Sequence, residues 1–281
     1  MDVLKDIQGL KHYLSTFNQH EKSAGFIPTM GALHEGHLEL VRASKKQNDM
    51  TICSIFVNPT QFNNPEDLEN YPRDTPSDLE KLKNVSCDAV FIPSVGEMYS
   101  EDHVLNFNFG YLEEIMEGKF RPGHFGGVGL IVTKLFNLVK PTRAYFGTKD
   151  LQQLAIIKKL AKDLLFDIEI IPIKTVRESD GLAMSSRNKL LSNEARKQAT
   201  DLYNSLNRAR EKLNNQESVT SVKKYISDYF ETESAIDLEY FEVVYTENLH
   251  HVSKIHKSDD VSLCIAGYLG KVRLIDNISL N

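Results

Sequence analysis

Apolar residues first recur at helical spacing, at Val3, Ile7, Leu10, Leu14 and Phe17, so residues 3–20 are predicted to form an amphipathic helix. The period then changes. Residues 25–28 are a short apolar strand that enters a turn at Met30-Gly31, and a second helix opens over His34, Gly36 and His37, with Leu38 and Val41 on its apolar face. Residues 50–57 are apolar and rich in β-branched side chains, the pattern of a strand buried in a parallel sheet. That strand ends in the loop Asn58-Pro59-Thr60-Gln61-Phe62, and the polar, Pro-containing residues 63–76 continue as loop. A short helix begins at Ser77, a third strand covers 88–92, and residues 104–109 suggest an edge strand.

Residues 126–139 begin with Gly126, Gly127 and Gly129 and continue with an apolar body. They predict a helix packed closely on a neighbour and ended by Pro141. A strand at 143–146, the turn Gly147-Thr148-Lys149-Asp150, a helix at 151–165 and a strand at 168–173 complete an alternation of strands and helices. Such alternation predicts an α/β fold, a Rossmann-like doubly wound parallel sheet with right-handed connections. Beyond Thr175 the pattern changes to helices at 192–213 and 219–230, strands at 238–244 and 262–269, and a hairpin turn at Gly270-Lys271 into 272–275. This is a smaller C-terminal α+β domain, which divides the chain into 1–175 and 176–281.

Composition narrows the class without naming a chemistry. A length of 281 residues allows one large domain or two smaller ones, and 41% hydrophobic with 26% charged residues is ordinary for a globular protein. The net charge of −6 argues against a general nucleic-acid binder. Cys53, Cys87 and Cys264 are far apart and odd in number, so they suggest neither a disulfide framework nor a zinc ribbon. The opening residues lack a basic-then-apolar leader and no apolar run reaches membrane-span length, so a cytoplasmic enzyme is expected.

The chemistry gathers on loops after strands. A strand, a glycine turn and a helix N-terminus together form a phosphate site, because unpaired backbone N–H groups and the helix dipole both favour an anion. His34 and His37, three residues apart, stand on one side of the first helical turn and can donate to one phosphate chain. Structural histidines, or half of a metal site, are the other readings. The spacing differs from the zinc-protease pattern, which sets its histidines four apart. Lys149 is a mobile point charge suited to phosphate, while Asp150 could bond a ribose hydroxyl, hold Mg²⁺ or cap its helix. Ser185, Ser186 and Arg187 make an anion-binding cluster or a polar interdomain loop. Gln61 and Gln153 are neutral and bidentate, suited to a hydroxy acid. In open parallel sheets ligands bind beyond the strands' carboxyl ends, so these loops are expected around one ligand with the second domain as a lid.

Five stretches together resemble the pantothenate synthetase (pantoate–β-alanine ligase) family over essentially the whole chain. They are Pro28-Thr29-Met30-Gly31-Ala32-Leu33-His34-Glu35-Gly36-His37, Val57-Asn58-Pro59-Thr60-Gln61-Phe62, Arg121-Pro122-Gly123-His124-Phe125-Gly126-Gly127-Val128, Gly147-Thr148-Lys149-Asp150-Leu151-Gln152-Gln153 and Met184-Ser185-Ser186-Arg187-Asn188. The resemblance implies that pantoate attacks the α-phosphorus of Mg·ATP to give pantoyl adenylate and pyrophosphate. The β-alanine amine then displaces AMP. It implies ATP contacts from Met30 to His37, Gly147 to Asp150, the Val176 backbone and Met184 to Arg187. His34, His37, Lys149 and Arg187 would be the catalytic donors, with His37 the residue the family assigns as proton donor. Gln61 and Gln153, helped by Asn58 and His124, would hold pantoate and β-alanine, and Asp78 aligns with an acidic position near the Mg²⁺. The family also implies a homodimer formed through the N-terminal domain. This chain departs from it at Thr148, where the family commonly carries Glu.

Overall fold

Six short strands run parallel in the first part of the chain, in a computed structural model that describes residues 1–17, 21–101 and 104–281. They are β1 (Asp2–Leu4), β2 (Ala24–Thr29), β3 (Met50–Ile55), β4 (Ala89–Phe91), β5 (Arg143–Gly147) and β6 (Glu169–Ile173), in the order β1-β4-β3-β2-β5-β6. The winding direction reverses between β2 and β5, and ligands bind at such a reversal in open α/β sheets. Every residue of β3 is buried, the polar Thr51 and Ser54 included, as a strand covered on both faces requires. Pro28 lies in the central strand β2 but beyond its ladder with β5, which covers only Gly25 and Phe26. Its missing N–H therefore falls where that ladder has stopped.

The chain divides into two compact units, 1–148 with 156–174, and 149–155 with 175–281. The division passes through the helix Leu151–Asp163. In the second unit β7 (Asp237–Tyr245), β8 (Val261–Leu269) and β9 (Val272–Ser279) form an antiparallel meander. The helices Asp201–Asn214 and Val219–Thr232 share its core, through Leu202, Leu206, Val222 and Ile226 together with Val243, Leu263 and Ile265.

Several sequence expectations are corrected. The predicted opening helix is a strand followed by a shorter helix. Val3 pairs with Val90 in the sheet, and Asp6 accepts from the Gly9 N–H to start the helix Ile7–Ser15; residues 18–20 lie outside the described residues. Residues 104–109 form no strand: the Phe107 and Phe109 rings stack on each other and face Gly129, while Val104 and Leu105 are exposed. The single helix predicted at 192–213 is two, Asn193–Gln198 and Asp201–Asn214. The loop at 63–76 contains the helix Pro65–Glu69, and the next helix starts at Thr75, capped by Asp74.

Candidate active site

The turn after β2 is held from three sides. Thr29 Oγ1 donates to the Ser54 carbonyl at 2.7 Å and accepts the Gly31 N–H at 3.1 Å. Asp78, 1% exposed on the helix Thr75–Asn84, accepts the Ala32 and Leu33 N–H groups at 2.8 and 2.7 Å, one on each oxygen. Lys81 Nζ donates to the Leu33 carbonyl at 2.8 Å and stands 4.0 Å from Asp78. Gly31 is required here: its φ is +80°, and a Cβ would lie 2.9 Å from Ile55 and 3.0 Å from the Asp78 carboxylate. Burial pushes the Asp78 carboxyl up, against the pull of the Leu33 and Ala32 amides and of Lys81.

This sets the helix Glu35–Gln47 with His34 as its extended N-cap. His37 Nδ1 accepts the His34 backbone N–H at 3.3 Å, so the neutral ring carries its proton on Nε2. The two imidazoles lie with centroids 4.0 Å apart and tilted by 44°. Ala32 and Leu33 are buried and meet the turn's surroundings through their backbone, whereas Glu35 is drawn into an ion pair with Arg42.

The loop after β3 is a second rigid piece. Asn58 is 1% exposed, and its amide donates to Gln61 Oε1 at 3.2 Å and to the Gly127 carbonyl at 3.1 Å. Asn58 Oδ1 accepts from Tyr99 at 2.7 Å and from Thr60 at 3.1 Å. His124 Nδ1 lies 2.7 Å from the Gln61 carbonyl, and Arg121 lies 3.1 Å from His124 Nε2. A guanidinium has no lone pair to offer, so Nε2 accepts and Nδ1–H donates to Gln61. The close packing predicted for the glycine-rich helix is explained by this loop. A Cβ on Gly127 would meet the Thr60 carbonyl oxygen at 2.3 Å and the Gln61 nitrogen at 2.8 Å. Gln61 Nε2 stands 2.9 Å from Met30 Sδ, so the first unit brings the turn after β2 and the Asn58–Gln61 loop together.

Gly147 ends β5, and Thr148 opens the single turn Thr148–Asp150. In the second unit Lys149 Nζ lies 3.5 Å from Asp150 Oδ1, so Asp150 supplies the local carboxylate that Thr148 does not. Gln153 is half-buried on the helix Leu151–Asp163 beside the buried Gln152. Val176 accepts the Met184 N–H at 3.0 Å and Arg177 bridges Ala183, closing a loop whose exit is Met184 to Arg187. Ser185 Oγ caps the turn Ser186–Leu190 by accepting the Arg187 N–H at 3.3 Å, and Ser186 is buried. Burial pushes the Asp276 carboxyl up against the pull of Arg177.

Among the described residues, no group of three His, Cys, Asp or Glu stands together as a metal site, and each Asp78 oxygen accepts one backbone N–H of the turn. Sequence reasoning missed Lys81, Tyr99 and Arg121 as supports of the site. Lys81 and Tyr99 reach partners 48 and 41 positions away, and only Arg121, three residues from His124, fell inside a recognised motif. The first unit offers imidazole donors at a helix N-terminus beside neutral amides, while the backbone N–H groups of Gly31, Ala32, Leu33 and His34, expected to face an anion, are already held by Thr29, Asp78 and His37.

Residues 2–279 match the model of the family described as pantoate-beta-alanine ligase. The pantothenate synthetase of Caldicellulosiruptor bescii is 50% identical over 279 residues, covering 99% of this chain and 98% of that protein. That of Thermosipho africanus is 46% identical and covers 99% of each. The crystal structure of pantothenate synthetase from Thermus thermophilus superposes with a TM-score of 0.92 at 38% identity, over 100% of this chain and 99% of that one. The pantoate-beta-alanine ligase of Francisella tularensis, complexed with beta-gamma ATP and beta-alanine, gives 0.83 at 34% identity, over 100% and 98%. Among the described residues no helix is long and apolar enough to cross a membrane.

Proposed function

The chain belongs to the pantoate–β-alanine ligase family, and from that membership we propose how its residues share the reaction. The enzyme condenses pantoate with β-alanine to pantothenate at the expense of ATP, forming AMP. In the proposed route a pantoate carboxylate oxygen attacks the α-phosphorus and pyrophosphate leaves. The β-alanine amine then attacks the acyl carbon, the bond to AMP breaks, and the amine proton is lost to solvent. Residues 1–175 carry the pantoate contacts and much of the nucleotide site, and 176–281 supply the rest.

One observation carries this reading most strongly: the His34 N–H bond to His37 Nδ1, which makes Nε2–H the donor of that ring at a helix N-terminus. A preorganised donor of this kind stabilises charge developing on phosphate without reorganising during the reaction. Met30, Gly31, Ala32, Leu33, His34, Glu35, Gly36, Gly147 and Thr148 are assigned to ATP with it. Lys149, Asp150, Val176, Met184, Ser185, Ser186 and Arg187 are assigned to ATP from the second unit. Gln61, Asn58, His124 and Gln153 are assigned to pantoate and β-alanine, the neutral amides fixing hydroxyl and carboxylate oxygens without adding charge. Mg²⁺ arrives as the counter-ion of the ATP phosphates, with Asp78 as the acidic side chain assigned near it. Asp78 also holds the turn through the Ala32 and Leu33 amides. We assign the working form to a cytoplasmic homodimer joined through the first domain, which sedimentation would read directly.

The test is pyrophosphate release from Mg·ATP and pantoate, with and without β-alanine. The expected result is a single turnover of release with pantoate alone, then sustained AMP and pantothenate formation once β-alanine is added. Release with no later amide would make the protein a nucleotidyl transferase instead.

A further inference from the structure

Asp276 and Asn277 lie on β9, far in sequence from every motif discussed above, yet two of the proposed ATP segments hang on them. Asp276 is 3% exposed and takes both ends of the Arg177 guanidinium, at 2.7 and 3.0 Å. Arg177 also donates to the carbonyls of Gly181 and Asn277, each at 3.0 Å, and lies 4.1 Å over the Tyr203 ring. Both terminal nitrogens of this guanidinium are therefore engaged and one face is covered, and its planar fork admits few other arrangements. Arg177 stands at the base of the loop whose exit is Met184 to Arg187, so the Asp276 pair fixes where that exit begins. The neighbouring Asn277 donates from Nδ2 to the Lys149 carbonyl at 2.6 Å, and its own N–H is held by Asp276 Oδ1 at 2.7 Å. A carbonyl held this tightly fixes the Cα from which the Lys149 side chain extends.

We propose that Asp276 and Asn277 are positioning residues for the nucleotide: through Arg177 and the Lys149 carbonyl, two adjacent positions on one strand set the placement of both cationic segments that bind ATP. The inference rests on the assignment of Lys149 to ATP. Both segments they hold are assigned to ATP, so each residue is expected to act on affinity for ATP and not on that for pantoate. A side chain that merely stabilised the fold would depress both affinities together or neither.

The test measures pantoate-dependent ATP–pyrophosphate exchange, taking KM for ATP and for pantoate separately, alongside the thermal midpoint. The variants are Asn277→Ala, Asn277→Asp and Lys149→Ala in the full-length enzyme. Asn277→Ala is expected to raise KM for ATP about tenfold, the scale of one lost hydrogen bond, with KM for pantoate unchanged. Asn277→Asp keeps the shape but turns a carboxylate oxygen toward the Lys149 carbonyl, and is expected to raise it further. Normal ATP affinity in Asn277→Asp, or equal shifts in both KM values for Asn277→Ala, would overturn the proposal while leaving a defective Lys149→Ala to uphold the ATP assignment. A Lys149→Ala enzyme with normal ATP affinity would remove that assignment and the positioning role with it.

Discussion

In the first unit Gln61 is held by an amide, an imidazole and a thioether, whereas in the second the loop leading to Arg187 is held by a guanidinium on a buried carboxylate. The first arrangement carries no net charge at its centre. Removing one member leaves a polar atom that water or a neighbour can satisfy. The second cannot lose one partner so easily, since the survivor is a charge stranded away from water. The two arrangements therefore answer mutation differently: a lost member around Gln61 is absorbed locally, whereas a lost Asp276 strands a charge.

The largest test of that contrast is Asp276→Ala. Stranding Arg177 is expected to cost about 3–5 kcal/mol in urea-induced unfolding. Combining Asp276→Leu with Arg177→Met should recover most of it, because an apolar pair of similar volume leaves no charge behind. A single variant as stable as the parent would show that the second unit relaxes as freely as the first. Next in size is His37→Ala, which should slow adenylate formation about 100- to 1000-fold, the range for one preorganised donor. Its unfolding midpoint should stay close to the parent's. A large loss of stability would place His37 among the structural residues and erase the contrast.

The smallest effect sharpens the comparison by reading each unit separately. All three cysteines are buried, and burial pushes the Cys87 thiol up to about 12, so the native enzyme should resist a thiol reagent at neutral pH. Cys53 and Cys87 report on the first unit, and Cys264, paired in register with Asn277, reports on the second. Mass spectrometry of pulse-labelled Asp276→Ala should find Cys264 modified before the other two. Simultaneous labelling would mean that the units open as one.

The strand, turn and helix at residues 24–47 were readable because the glycine turn, the histidines and the apolar stripe all lie within one short stretch. The glycines at the start of His124–Val139 likewise announced a close neighbour, and Thr60 and Gln61 are that neighbour. Other features were invisible for physical reasons. A strand of three residues, Asp2–Leu4, is too short to show a period and was absorbed into the helix after it. Asp78 was named only through the family resemblance, as an acidic position near Mg²⁺, and its bonds to the Ala32 and Leu33 amides, 46 and 45 positions away, become visible only in the fold. The Arg177–Asp276 pair spans 99 positions, and no local pattern marks either residue as the other's partner.

That separation has a meaning in time as well as in space. A ribosome adding roughly 5–20 residues per second completes the last strand of the parallel sheet, β6, well before it reaches Asp276. The first unit can thus settle on the ribosome while Arg177 waits several seconds for its carboxylate. Lys149 waits longer, since its carbonyl's partner Asn277 follows 128 positions later. During that interval the nascent chain carries a finished sheet with an unanchored arm emerging from it. Codon usage between 177 and 276 is therefore a place where the yield of active enzyme can change while the protein's sequence does not.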